Sequence, residues 1–160
     1  MTTLTLAPTQ TVTQYCTFWA DGLYFGLAVV DVQEVLRFQE MTPAPQAPDA
    51  VTGLINLRGQ IVTAIDLRHR LGLAPRPEDQ TPMNVVVRSR DEVVSLLVDD
   101  IGDVIDTAGA AIAPVPATVP TAVRDVLVGV IPRSEAILLV LDVDLAADVT
   151  TTTRSTGGNP

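Results

Sequence analysis

The sequence has no lysine, one cysteine and one histidine among 160 residues, and aromatics make up only 4% of it. Each shortage narrows what the chain can be. A single cysteine, Cys16, excludes an intramolecular disulfide framework and fits a reducing cytosol. The histidine, His69, lies between Arg68 and Arg70, far from Cys16, so a Cys/His nucleophile would need a coincidence of folding. Ten arginines face nineteen acidic residues, a net charge of −9. Phosphate binding needs a basic footprint, so this balance argues against nucleic acid. No apolar run approaches the roughly 18 residues of a membrane-spanning helix. Residues 1–8 have neither the basic region nor the apolar stretch of a signal peptide. No Gly-rich phosphate loop of standard spacing occurs.

Apolar residues, at 47%, are enough for a core, and with so few aromatics Val, Ile, Leu and Ala must pack it. Short β-branched runs, 12 prolines, 10 glycines and no long helical period point to a β-rich fold. At this length the chain is one domain, or two small ones sharing a core. Residues 1–11 and 150–160 are Thr-rich without apolar period and read as disordered ends.

A first hairpin is expected over residues 14–30, turning at Asp21-Gly22. In residues 31–36, Val32, Val35 and Leu36 share a face at helical spacing, which suggests one or two helical turns and leaves Gln33 and Glu34 more exposed. Residues 41–49 carry three prolines and form an extended loop; a short helix could follow over 48–53. Helical turns are also expected at 68–72 and 145–149. Residues 74–82 read as a connector between halves. Further strands fall near 84–88, 93–98, 101–105, 126–131 and 136–143, with an Ala/Pro loop over 108–122.

The chain is organised around residues 53–68. Asn56 and Gly59 make a turn, Arg58 sits inside it, and an apolar β-branched strand follows over 61–67. A cation between Leu57 and Gly59 needs an explanation. A partly buried arginine costs several kcal/mol unless paired, and Glu34 is the partner we expect.

Sliding the second half over the first gives two ungapped matches. Residues 53–67 fall on 129–143, a shift of 76, which places Gly53 on Gly129 and Asp66 on Asp142. Residues 26–36 fall on 95–105, a shift of 69, which places Asp31 on Asp100 and Glu34 on Asp103. Such collinearity implies a duplication into two small barrels, each closing its strands against exposed edges. Arg58 has no equivalent, because Ser134 occupies its place. Asp99, Asp100, Asp103 and Asp106 lack the order of an EF-hand, and read as outward positions of a strand.

Residues 53–59, Gly-Leu-Ile-Asn-Leu-Arg-Gly, with Ile61, Val62 and the Ile-Asp-Leu-Arg run at 65–68, resemble the signature of CheW-like coupling proteins of bacterial chemotaxis. Three more segments agree in order: Phe25 to Leu27 with Val32 to Val35, the proline-bearing 41–48, and 98–104. The likeness covers about 12–148. Thr63-Ala64, where many members have Pro-Val, and the 108–122 loop depart from the pattern.

The resemblance implies a mainly β fold of two pseudo-symmetric, five-stranded SH3-like barrels with a few short helices. The barrels would span about 12–73 and 82–145 within a domain at 12–149, their chain ends open to exchange. It implies a cytoplasmic adaptor without catalysis, cofactor or metal, which joins chemoreceptor cytoplasmic tips to the regulatory domain of the histidine kinase CheA. Alternating with that domain, it would form rings within membrane-associated arrays. Position by position, Glu34 and Arg58 match the family's charged pair, and Val32, Val85 and Val86 its receptor-facing groove; Asn56, Leu57 and Gly59 form the motif loop. Other readings are an adaptor of another chemosensory pathway, such as surface motility, or a small-ligand or hydrolytic β-barrel, which a cleft of convergent polar groups would support.

Overall fold

A computed structural model describes residues 14–149; the expectations for the two chain ends lie outside the described residues. The first strands, β1 (Gln14–Ala20) and β2 (Leu23–Ala28), pair as the expected hairpin. Its turn residues Asp21 and Gly22 have φ of 52° and 79°, the left-handed pair that matches strand twist in a two-residue turn. A 3-10 turn, Val29–Asp31, then carries the chain into a second sheet. That sheet holds β3 (Val32–Leu36), β4 (Val51–Leu57), β5 (Gln60–Asp66), β6 (Met83–Ser89) and β7 (Glu92–Val98). Past Asp99 the chain returns to the first sheet as β8 (Asp100–Asp106), β9 (Leu127–Pro132) and β10 (Ile137–Leu141). Three short helices complete it: α1 (Leu67–Arg70), α2 (Thr121–Arg124) and α3 (Val143–Ala147).

The sheet orders are β8-β1-β2-β10-β9 and β3-β6-β7-β5-β4. They are one order written twice. Replacing each strand of the first repeat (β1 to β5) by its partner in the second (β6 to β10) turns one sheet into the other. The registers agree too. Leu139 opposite Phe25 and Val140 opposite Gly26 correspond to Thr63 opposite Val94 and Ala64 opposite Ser95, by the same shifts of 76 and 69. Even the irregularity between Cys16 and Phe18 against β8 recurs between Val32 and Glu34 against β6.

Two SH3-like barrels therefore form, but not from contiguous halves. The strands do not divide at 12–73 and 82–145. Each repeat gives its first two strands to one barrel and its last three to the other, because the crossings at Val29–Asp31 and Asp99 fall inside the repeats. Exchange of this extent explains why the halves share one core. Phe18, Phe25, Leu67, Leu71, Val85, Leu96 and Val123 belong to the main buried cluster, with the Phe18 and Phe25 rings stacked at 6.0 Å. Each such side chain contributes about 2 kcal/mol by leaving water. Smaller clusters lie around Ile131 and Leu138 in one sheet, and around Ile55 and Leu97 in the other.

The shared glycine and aspartate positions have local causes. A Cβ on Gly53 would lie 2.7 Å from the Thr42 carbonyl oxygen, and one on Gly129 equally close to that of Ala113. Those carbonyls are bound there, because Thr42 bridges Leu54 and Ala113 bridges Val130. Asp66 accepts the Arg68 N–H at the start of α1, and Asp142 accepts those of Asp144 and Leu145 at the start of α3.

Three local expectations change. Residues 32–36 form a strand, since pairing with β6 satisfies their backbone groups and overrides the helical spacing. No helix forms at 48–53: β4 begins at Val51. The loop at 108–122 contains the start of α2, whose Val123 enters the main core.

Candidate functional site

The turn between β4 and β5 is two residues, Arg58 and Gly59, with φ of 53° and 89°. A left-handed arginine costs roughly 1–2 kcal/mol. Two contacts hold it there. The Asn56 side-chain oxygen accepts the Gly59 N–H at 2.9 Å. The Arg58 guanidinium donates to both Glu34 carboxylate oxygens, Nη1 to Oε2 and Nη2 to Oε1, each at 2.7 Å. This is the parallel fork geometry that arginine presents to a carboxylate and lysine does not. Glu34 reaches it from β3, where Val32, Glu34 and Leu36 are half-buried and Gln33 and Val35 face out.

The pair is at the surface. The Arg58 side chain is 72% exposed and that of Glu34 20%. Arg58 is thus not partly buried, and relief of a buried charge is not what pairs it. The hydrogen bond from Arg58 lowers the Glu34 carboxyl from its ordinary value against the opposing effect of burial, and the Arg58 charge adds to this. Arg58 is raised in turn, first by the bond and then by the Glu34 charge.

Of the other predicted site residues, Gly59 and Asn56 are exposed with Arg58. Leu57 packs on the small cluster with Ile55 and Leu97, so it anchors the loop from beneath. Val32 is half-buried against the main core. Val85 and Val86, expected in a partner-facing groove, have 0% exposure and present no surface. Both lie on β6, which β3 covers on one side and β7 on the other. A shallow groove of about 510 Å³ beside the pair is lined by Gln33, Gln60, Ile61 and Arg88.

Sequence reasoning missed a second charged group. Asp99, read as an outward strand position, has a side chain only 9% exposed. It receives Arg68 Nη2 at 2.6 Å, Arg76 Nε at 3.1 Å and the Asp21 N–H at 2.7 Å. Burial alone would raise its carboxyl, yet the bonds from Arg68, Asp21 and Arg76 together with the Arg68 charge lower it. Arg68 also donates to the Ala74 and Pro75 carbonyls, which pins the 74–82 connector against the crossing after β7. The available signal was Arg76, a lone cation in a proline-bearing connector. Cys16 is a half-buried free thiol on β1 that burial raises, and His69 is exposed.

Comparisons agree with the fold and the motif. The chain matches the CheW-like domain over residues 14–149. It is 29% identical over 120 residues to the chemotaxis protein CheW of Klebsiella aerogenes, covering 75% of this chain and 72% of that one. It is 26% identical over 131 residues to that of Bacillus subtilis, covering 82% and 84%. Its fold is similar to the crystal structure of the scaffolding protein TtCheW from Thermoanaerobacter tengcongensis, with a TM-score of 0.73 and 26% identity, covering 85% and 92% of the two chains. No helix of the described residues is long and apolar enough to cross a membrane. By its motif, its exchanged double barrel and these matches, the chain belongs to the CheW-like family.

Proposed function

We propose that the chain is a non-catalytic cytoplasmic adaptor that couples the cytoplasmic tips of chemoreceptors to the regulatory domain of the histidine kinase CheA. The observation that carries this reading is the Arg58–Glu34 pair. It is exposed, fixed by a two-point hydrogen bond, and placed in one barrel only. Since the other barrel folds with Asp103 and Ser134 at those positions, the fold does not require the pair. A rigid surface charge pair sets the register of a partner more than its affinity. Affinity would come from apolar neighbours such as Val35 and Ile61, 38% and 62% exposed.

Two pseudo-equivalent barrels also suit head-to-tail assembly, in which one end of each molecule meets a different end of the next. Coupling is then a free energy shared between a receptor surface and a kinase surface. The test is co-sedimentation of the protein with receptor tips, with the CheA regulatory domain, and with both. The reading requires it to pellet with its partners; recovery in the supernatant in all three mixtures defeats it.

A further inference from the structure

The repeat relation also pairs one surface groove with another. Gln33, Gln60, Arg88 and Val93 line the groove of about 510 Å³ beside the Arg58–Glu34 pair. By the shifts of 69 and 76 their counterparts are Gly102, Ala136, Trp19 and Tyr24, and all of these line a groove of about 740 Å³ on the other barrel. The registers agree, since Trp19 stands opposite Tyr24 as Arg88 stands opposite Val93. The first groove is spanned by the chain's own side chains. Arg88 Nη2 donates to Gln33 Oε1 at 3.2 Å, and Arg58 forks onto Glu34 beside it.

In the second groove those spans are gone while the acid stays. Asp103 stands in the place of Glu34, but Ser134 replaces Arg58 and Trp19 replaces Arg88. Gly102 and Ala136 replace the two glutamines. Trp19 is firmly seated there. Its ring packs on Tyr24 at 4.9 Å between centroids, and lies so close over Gly102 that a Cβ would stand 2.9 Å from the indole. It is 37% exposed, whereas Phe18 and Phe25 are fully buried. Among the described residues the exposed Asp103 carboxylate accepts no hydrogen bond and joins no ion pair, and no ion pair joins the Arg133 and Glu135 side chains that share the groove.

We propose that the groove floored by Trp19 and Tyr24 binds an arginine side chain of a partner protein. The groove itself selects that occupant. An indole face attracts a planar cation, and the carboxylate beside it takes the same cation's N–H edge, as Glu34 takes Arg58 in the other barrel. Half-buried Ile101 and Ile105 give the aliphatic stem an apolar wall. Asp103 and Glu135 together outweigh Arg133, so charge also favours a cation. This surface lies on the other barrel from the Arg58 turn and does not depend on the adaptor reading.

Trp19 is the chain's only tryptophan, so its emission reports on this groove alone. The probe is a capped synthetic peptide, Gly-Pro-Arg-Pro-Gly, titrated into the full chain while that emission is followed. A second peptide carries citrulline, neutral and of the same shape, at the arginine position. The arginine peptide should change the emission saturably, and the citrulline peptide should bind at least about tenfold more weakly. Asp103→Asn should weaken the arginine peptide about tenfold without changing the melting temperature, because that carboxylate holds nothing in the fold. Equal binding of both peptides, no saturable change, or undiminished binding by Asp103→Asn overturns the proposal. A third arm uses the full chain with Arg133→Ala or Arg154→Ala. If only one of these variants binds the peptide, the groove is served by the protein's own arginine, and the assignment to a partner fails.

Discussion

Arg58 and Glu34 meet through two parallel hydrogen bonds of 2.7 Å each, across 24 positions of sequence, and the other half of the molecule does not repeat the pair. Asp103 and Ser134 stand at the corresponding places and line a groove of about 740 Å³ with Trp19 and Tyr24. Strand order, register, bulge and the Gly53 position are duplicated, whereas the turn itself is not: Asn56, Leu57 and Gly59 fall on Pro132, Arg133 and Glu135. A feature absent from one of two matching barrels is free of the fold's demands.

The first expectation concerns that bond directly. Arg58 lowers the Glu34 carboxyl, chiefly by hydrogen bonding. In a carbon-detected NMR titration Glu34 should therefore titrate below the ordinary glutamate value of about 4.3, and shift upward in Arg58→Ala. An unchanged Glu34 midpoint in that variant would show that the pair does not persist in solution.

Asp99 should matter to stability instead. Asp99→Asn leaves Arg68 and Arg76 facing a neutral amide. Removing one partner of a fully buried pair costs about 3–5 kcal/mol, and because Asp21 opens this cluster to water the loss here should be about 2 kcal/mol. The folded-state carboxyl is lowered, so its stabilisation is fully present above the unfolded value, about 3.9, and is lost as pH falls through the lowered folded value. Urea denaturation should show the full difference between wild type and variant at pH 7 and a shrinking one below about pH 4. A difference that stayed constant into acid would contradict the assignment.

Gly53→Ala and Gly129→Ala should be alike. In each, the new methyl would lie 2.7 Å from a carbonyl oxygen of the facing segment, at Thr42 or Ala113. Both carbonyls are hydrogen bonded to the neighbouring strand, so neither can retreat freely. Each substitution should cost about 1–3 kcal/mol in thermal or chemical denaturation. A large cost at one and none at the other would break the claimed equivalence of the two barrels.

Much of this was legible in the residues, and the limits have physical reasons. The shifts of 76 and 69 carried the registers of both sheets, since Gly53 with Gly129 and Asp66 with Asp142 mark positions where backbone geometry admits few alternatives. The Arg58–Glu34 pair was expected from a burial that Arg58, 72% exposed, does not have; what the residues did carry was the match of both positions to the family's charged pair. The exchange of strands was not. Alternation of apolar residues says which face is buried, but not which sheet a strand joins, and the crossings at Val29–Asp31 and Asp99 have no distinctive composition. Residues 32–36 misled for a related reason: Val32, Val35 and Leu36 satisfy helical spacing, while a bulge against β6 decides the outcome. Val85 and Val86 were assigned to a groove by likeness to a family, which locates a position and not its exposure.

We propose that the exposed pair serves assembly and not folding. Its most direct test is ternary co-sedimentation with receptor tips and the CheA regulatory domain, using Arg58→Ala alongside its melting curve. Arg58→Ala should lose the ternary complex at least tenfold while melting at a temperature like that of the wild type. Undiminished ternary assembly by folded Arg58→Ala would contradict it.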